Sequence, residues 1–213
     1  MTSTSRVRNA RPCAPLGPAL LLGLALAGCT TDRMTEPGQT ASEQLLISTA
    51  IDRAVEHLDP TIPPGTRLFI DAQYFDTAPG DAALYSKYAI ASIRDRLLQR
   101  GARLVDDRHA ADMVAEVRTG AQSIDHHDFL IGIPSIPVPV PFTTTVATTP
   151  KIALYEDDRQ TGIAKLAITA FDKDGALTAS TGPVYGRSDK ASWTLLVVIG
   201  WEREDIRPPD IKP

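Results

Sequence analysis

Apolar positions between residues 42 and 100 recur at the spacing of two amphipathic α-helices. Ser42 is an N-cap candidate for the first helix, which must end before Pro60 because the residue ahead of a proline avoids helical backbone. The second helix is predicted over residues 82–100, followed by Gly101 at the position of a C-cap glycine. The apolar stripe of the first helix comprises Leu45, Leu46, Ala50, Ile51, Ala54, Val55 and Leu58. The stripe of the second comprises Tyr85, Ala89, Ile93 and Leu97.

The other apolar segments are short or alternate with polar residues, which predicts β-strands. Residues 112–124 alternate at a period of two. Asp174-Gly175 is a tight-turn signal between two strands. One face of the alternating strand carries Met113, Ala115, Val117, Thr119 and Ala121. Further strands are predicted at residues 68–72, 102–105, 151–156, 164–172 and 176–180.

The most apolar strand segment runs from Trp193 to Ile199 and is rich in β-branched residues. It predicts a central strand of the sheet, and it is too short to cross a bilayer as a helix. The order of elements is helix, strand, helix and then mostly strands. The sequence therefore predicts an α+β fold in which two N-terminal helices pack on a mostly antiparallel sheet. This single domain would cover residues 42–207, with a frayed tail at residues 208–213.

The segment ahead of the first helix has the three parts of an export signal. Three arginines and no acidic residue lead into an apolar run at residues 19–26, which is much shorter than the roughly 20 residues that span a bilayer. Small residues then lead to Cys29. Residues 1–28 are therefore predicted to be a cleaved signal peptide. Residues 29–41 are polar and contain Pro37 and Gly38, so they form either a flexible tether or an arm packed on the domain.

The sequence Leu26-Ala27-Gly28-Cys29 resembles the lipobox of bacterial lipoproteins. The resemblance implies that Cys29 is the lipidated first residue of the mature protein, attached to a membrane by palmitate and other acyl chains. Two or more chains hold a protein stably, whereas one binds reversibly. Thr30 follows the cysteine where an aspartate would favour the inner membrane. The resemblance therefore implies the outer membrane, with the domain facing the periplasm.

The charge balance narrows the range of partners. The full chain has a formal net charge of −4, and removal of residues 1–28 lowers it to −7 because three arginines leave with the signal. An acidic surface argues against nucleic acid and against electrostatic binding to anionic lipid. The sequence contains no phosphate-binding glycine loop, dinucleotide fingerprint or paired-cysteine motif, so no cofactor is predicted.

One short segment groups side chains that could carry chemistry. Residues 123–128 read Ser-Ile-Asp-His-His-Asp. A hydrolytic triad is disfavoured because neighbours in an extended chain point to opposite sides and no Gly-x-Ser-x-Gly elbow is present. Metal is the better functional interpretation, although adjacent histidines in a strand cannot both face one ion. The metal-ligand candidates are Asp125, His126, His127 and Asp128. A solvated strand end explains the same residues more simply, so no catalytic or metal-binding residue is assigned.

The segment from Phe129 to Pro150 contains five prolines and no charge. The prolines exclude a membrane helix and favour an extended loop. Such a loop either folds back over the sheet, docks a partner or another copy of the chain, or inserts into lipid. We interpret it as a contact surface. Its candidate residues are Phe129, Ile133, Ile136, Val138, Val140 and Phe142.

Three stretches resemble a family of short bacterial lipoproteins described as a domain of unknown function, and this resemblance implies no activity. They are the Cys29 box, residues 35–46 and residues 133–137. A looser likeness is to outer-membrane lipoproteins related to the curli-secretion channel and to plasmid complement-resistance lipoproteins. Those relatives oligomerise and insert a segment after a long strand. The shared layout covers residues 67–73, 82–101, 103–106 and 111–124.

Three functions remain open from the sequence. The leading hypothesis is a lipid-anchored envelope protein without enzymatic activity that acts through protein–protein contact. The second is a homo-oligomeric component of an envelope export or channel assembly. The third is a metal-dependent enzyme that uses His126 and His127.

Overall fold

The computed structural model describes residues 39–75, 81–139 and 146–206. The predicted signal peptide, Cys29, most of the tether, Val140, Phe142 and the predicted tail lie outside the described residues. Within them, the helices are α1 (Ala41–Glu56) and α2 (Asp81–Gln99), with a 3-10 turn at Arg108–Ala110. The strands are β1 (Arg67–Asp71), β2 (Arg103–Leu104), β3 (Met113–Ile133), β4 (Pro137–Pro139), β5 (Val146–Thr148), β6 (Ile152–Asp172), β7 (Leu177–Leu195) and β8 (Ile199–Glu204).

Helix α1 begins with a capping box formed by Thr40 and Glu43, so the prediction of Ser42 as N-cap is wrong. The backbone N–H of Glu43 donates to Thr40 Oγ1 at 3.3 Å, and the backbone N–H of Thr40 donates to Glu43 Oε2 at 2.7 Å. This reciprocal pair satisfies two N–H groups that the first helical turn leaves free. Helix α2 confirms the second predicted helix, and Gly101 follows it with a φ of 90°.

Six strands form one mixed sheet in the order β2-β1-β3-β6-β7-β8. Strand β1 runs parallel to both of its neighbours, and the remaining pairs are antiparallel. Helices α1 and α2 pack on this sheet, which confirms the predicted α+β class. The main core comprises Ile51, Leu58, Leu68, Ile93, Leu97, Val117, Leu166 and Ile168. None of the helices in the described residues is long and apolar enough to cross a membrane.

Helix α1 lies unusually close to β6 and β7 because glycines face it. A Cβ atom on Gly162 would stand 2.5 Å from the carbonyl oxygen of Leu46, and one on Gly186 would stand 1.8 Å from that of Ala50. Ser188, which is fully buried, donates a hydrogen bond from Oγ to the same Leu46 oxygen at 2.6 Å. Gly186 contacts Ala50 of α1, and Ser188, two residues later on β7, contacts the earlier residue Leu46. The N-terminus of α1 therefore points toward the later residues of β7.

Strands β3, β6, β7 and β8 continue the sheet beyond the end of β1. Strand β1 pairs with β3 only at residues 113–116, whereas β3 pairs with β6 as far as Ile133. We call this extension the ribbon. It comprises residues 122–133 of β3, 152–163 of β6, 187–195 of β7 and all of β8. The predicted strand at 112–124 is therefore too short, and the predicted strands at 151–156 and 164–172 are parts of one strand.

The structure corrects the predicted loop at residues 129–150. Residues 129–133 belong to β3 and pair with β6, so they form part of a strand and not of a loop. After a short break, Pro137 to Pro139 of β4 pair with residues 146–148 of β5 in a separate two-stranded sheet. Proline is tolerated there because a two-stranded sheet consists only of edge strands.

The predicted central strand from Trp193 to Ile199 is also wrong. Strand β7 ends at Leu195, the chain turns through residues 196–198, and β8 starts at Ile199. Strand β8 lies at the edge of the sheet, and its large apolar residues are exposed. Apolar composition suggested burial, but this part of the ribbon extends past the helices that cover the core.

A β-bulge at Gly120 changes which residues of β3 face the helices. Thr119 pairs with Leu166, and Ala121 pairs with the next residue back along β6, Lys165. Gly120 is therefore an extra residue. Odd-numbered residues such as Val117 face the helices before the bulge, and even-numbered residues do so after it. Ala121 consequently lies on the opposite face from Val117, contrary to the predicted pattern.

Candidate functional site

The ribbon surface turned away from the helices is arranged in cross-strand rows. Gly162 faces α1, so the odd-numbered residues of β6 on either side of it lie on the outer face. The tip row contains Ile131, Tyr155, Leu195 and Ile199. The aromatic row contains Phe129, Asp157, Trp193 and Trp201. The basic row contains His127, Arg159, Ala191 and Arg203.

The tip and aromatic rows form an exposed apolar surface. Phe129 meets Tyr155 edge-on with ring centroids 6.3 Å apart, and Trp193 stacks on Trp201 at 6.0 Å. Phe129 is 50% exposed and Trp201 47% exposed. Aromatic side chains on a sheet surface usually contribute to binding by covering large apolar areas while keeping their geometry. Four of them on neighbouring strands therefore mark this surface as a candidate contact site.

Asp157 is the polar member of the aromatic row, and it is buried. Arg159 holds it with two hydrogen bonds, from Nε to Oδ1 at 2.8 Å and from the terminal nitrogen to Oδ2 at 2.6 Å. These bonds from Arg159 keep the pKa of Asp157 below its usual value, and Trp193 also hydrogen-bonds this carboxylate. The aspartate therefore stays charged and fixes the position of the Trp193 ring.

Paired charges continue below the basic row. Arg187 donates from Nε and from a terminal nitrogen to Asp189, and the pKa of Asp189 is lowered mainly by these hydrogen bonds. Thr161 Oγ1 donates to the same carboxylate at 2.8 Å. An open depression of about 430 Å³ lies here, and its lining includes Arg159, Thr161, Arg187, Asp189, Trp193 and Arg203. The charge pairs explain its polarity without a ligand.

The four metal-ligand candidates separate onto two faces. Asp125 and His127 lie on the outer face, whereas His126 and Asp128 lie on the helix side. His126 Nε2 stands 3.8 Å from Glu43 Oε1 at the start of α1. The imidazole rings of His126 and His127 therefore cannot bind the same ion unless the strand rearranges. Within the described ranges, no group of three or more histidine, cysteine, aspartate or glutamate residues is placed to hold a metal ion.

Asp128 and Asp158 are opposite each other on the helix side of the ribbon. Burial raises the pKa of Asp158, and the negative charge of Asp128 raises it further. Like charges directly across a strand pair destabilise the sheet. This pair is therefore a local electrostatic cost in the ribbon.

The described members of the predicted contact surface are all exposed, and they lie within ten residues of one another in the sequence. Phe129 and Ile133 are on β3, Ile136 follows that strand, and Val138 is on β4. Ile133, Ile136 and Val138 are 55%, 52% and 45% exposed. Val140 and Phe142 lie outside the described residues.

Sequence reasoning missed the turn between β7 and β8. Leu196, Val197 and Val198 are among the most exposed apolar residues described, and Trp193 and Trp201 flank them on the two strands. Their composition suggested a buried strand. The turn itself contains no glycine, asparagine or proline, and Gly200 already lies in β8, so no turn signal marks the reversal in the sequence.

The fold and this surface define an α+β domain whose sheet continues into an antiparallel ribbon with an exposed apolar end. The model of a family of unknown function (DUF6655) matches residues 23–193, about four-fifths of the chain, and the chain belongs to this family. No curated protein matches the chain at a significant level.

Proposed function

We propose that the chain is a lipid-anchored protein of the bacterial cell envelope that acts through protein–protein contact and not as an enzyme. Cys29 would carry the lipid, and the outer membrane facing the periplasm is the expected location. The observation that carries the contact role is the exposed apolar group formed by Ile133, Ile136 and Val138 at the far end of the ribbon. Contiguous apolar surfaces on soluble domains usually mark interaction sites.

The position of this group supports the proposal. Ile133 and Val138 lie in strand segments outside the hydrophobic core that the helices cover. Packing of the core therefore does not require an apolar side chain at either position. Backbone pairing of β3 with β6 and of β4 with β5 holds both residues in defined geometry. A surface held by strands is available to a partner at a small entropic cost.

Site-specific crosslinking in intact cells tests the contact role. A photoreactive amino acid at Ile136 should give a discrete protein adduct, whereas the same group at Leu177 should not. Leu177 is a matched control because it is equally apolar and exposed but lies at the opposite end of β7. The triple variant Ile133→Ser, Ile136→Ser and Val138→Ser should stay folded and lose the adduct. Unfolding of this variant would instead assign the three side chains to the core.

A second candidate, a homo-oligomeric component of an export or channel assembly, is favoured by the edges of the ribbon. Among the described strands, β3 beyond residue 116 pairs only with β6, and β8 pairs only with β7. Each side of the ribbon therefore offers free backbone N–H and C=O groups that can template pairing with another chain. Light scattering on the purified protein distinguishes the two candidates, because an assembly would have a mass several times that of one chain.

A further inference from the structure

We propose that the turn between β7 and β8, together with Trp193 and Trp201, rests in the interfacial region of the lipid bilayer. This inference deepens the proposed anchoring at Cys29, on which its geometry rests. The occupant of this part of the ribbon is a lipid surface, and the protein partner proposed above would contact the neighbouring β3–β4 side.

The turn is apolar and open to solvent in the isolated chain. Leu196 is 58% exposed, Val197 53% and Val198 81%. The eleven residues from Ala191 to Trp201 include no charged side chain. Water is a poor environment for such a turn, since apolar side chains gain free energy when they move from water into hydrocarbon.

The backbone of the turn shows that these side chains occupy an unfavourable position. Leu196 and Val197 have φ angles of 50° and 70°, in the left-handed region that favours glycine and asparagine. A β-branched residue such as Val197 is a particularly poor choice there, because glycine and asparagine adopt positive φ angles at a lower cost. Backbone strain of this type lowers the stability of the folded protein and tends to persist at functional sites. Apolar side chains at the tip are thus retained despite a local cost in stability.

The turn is nevertheless held firmly in place. The backbone N–H of Leu196 donates to Leu154 O, and that of Val197 donates to Ala153 O, each at 2.9 Å. The apolar side chains therefore project from a fixed platform at the start of β6. A fixed apolar turn can enter a membrane interface without first being ordered.

The two tryptophans lie where an interfacial contact would place them. Trp193 and Trp201 stack one row behind the tip row, and Trp193 hydrogen-bonds Asp157. Tryptophan is enriched at membrane–water interfaces because its ring has an apolar body and one polar N–H group. Asp157 lies in the same row as the two tryptophans, and Arg159 follows one row farther from the tip, on the side where polar headgroups would lie.

The described part of the chain begins at the side of the domain that faces the turn. Lys190 donates to Ser42 Oγ at 3.3 Å, so α1 begins beside the ribbon and its N-terminus points toward the turn. The six residues from Lys190 to Leu196 extend about 20 Å along the strand. The thirteen residues from Cys29 to Ser42 span at most about 45 Å when extended. A lipid on Cys29 can therefore lie in the plane that the turn reaches.

Tryptophan fluorescence tests the inference directly, because Trp193 and Trp201 are the two tryptophans of the chain. The full lipidated protein is reconstituted in phosphatidylcholine vesicles, with and without lipids brominated near the headgroup end of the acyl chains. We expect a blue-shifted emission that brominated lipid quenches. High salt should leave this quenching unchanged, because the turn carries no charge.

The test variant combines Leu196→Asn, Val197→Gly and Val198→Ser. Asn-Gly suits the two positive φ angles, so the variant should fold and melt at a higher temperature than the parent protein. It should lose the quenching while flotation with vesicles continues through the lipid on Cys29. Leu177→Ser removes an equally exposed apolar side chain at the other end of the sheet and should retain the quenching.

The possible outcomes separate the two proposals. Flotation without quenching overturns the lipid contact and leaves the anchor intact. Failure of the protein to float with vesicles overturns the anchor, and quenching that survives in that case still supports lipid contact by the turn. A turn variant that keeps the quenching shows that the turn does not contact lipid. The same conclusion follows if the turn variant loses the protein adduct of the crosslinking experiment described above.

Discussion

Gly186 on β7 lies directly beneath Ala50 on α1, with no space for a side chain between them. A Cβ atom on Gly186 would stand 1.8 Å from Ala50 O and 2.5 Å from Ala54 N. Real Cβ atoms do not approach backbone this closely, so the helix would have to move away from the sheet. The identity of one residue on β7 therefore determines how closely α1 packs on the sheet.

We expect Gly186→Ala to lower the free energy of unfolding by at least about 1–3 kcal/mol, the usual cost of overpacking a core. Urea denaturation followed by circular dichroism measures the change. Gly182→Ala is the matched control on the same strand, because nothing lies within 4 Å of its added Cβ. Equal stability of the two variants would contradict the close approach of α1.

Cys29→Ala should move the protein out of the membrane fraction. The motivation is the lipobox that follows a basic leader without acidic residues. Fractionation of cells followed by a high-salt wash measures the change. Cys13→Ala is the control, since Cys13 belongs to the predicted leader and should have no effect. A Cys29→Ala protein that resists the wash would show that the lipid on this residue is not the anchor.

The double variant His126→Ala and His127→Ala should lose less than about 1 kcal/mol of stability, as surface substitutions usually do. The two side chains lie on opposite faces of β3, and each is exposed. Thermal unfolding and metal analysis of the purified protein measure the outcome. A transition metal that co-purifies with the parent chain and is absent from the variant would favour the metal-dependent enzyme.

Stability should fall between about pH 4 and pH 2 partly through Asp112. Arg67 donates two side-chain hydrogen bonds to this carboxylate, at 3.0 and 2.6 Å, and they lower the pKa of Asp112 from 3.8 to about 2. Because the folded protein holds this proton less tightly than the unfolded chain, the contribution is present above pH 4 and lost as the pH falls toward 2.

The variant Asp112→Asn should therefore show a shallower loss of stability across that window, measured by thermal unfolding at a series of pH values. Asp106→Asn controls for the removal of one negative charge, since its side chain is 99% exposed. An unchanged slope in Asp112→Asn would contradict the assigned role of the pair with Arg67.

Local signals predicted the elements that depend on local physics. The apolar stripe of α2 and the glycine at position 101 gave that helix within one residue at each end. The Asp174-Gly175 turn was predicted in the same way, and Gly175 has the expected positive φ of 81°. Such features follow from backbone preferences of a few neighbouring residues.

The ribbon could not be predicted because its strands depend on partners distant in sequence. Residues 157–163 mix charged, polar and small side chains without an apolar face, yet they belong to β6 because β3 and β7 pair with them on both sides. The apolar run from Trp193 to Ile199 suggested burial. In the structure α1 begins beside Lys190, so it does not cover the strands as far as the tip. Exposure there depends on the relative lengths of a helix and a sheet.

The extra residue at Gly120 has a consequence for how the chain can vary. Removal of Gly120 would leave Ala121 directly after Thr119 and still opposite Lys165, so the residues of the distal half would keep their faces. Phe129 would stay in the row that holds Trp193 and Trp201. Deletion of an ordinary residue beyond the bulge, such as Ser123, would instead shift the residues after it by one position and exchange their faces. Gly120 is thus a position at which β3 can lose a residue without a change in what either face of the sheet presents.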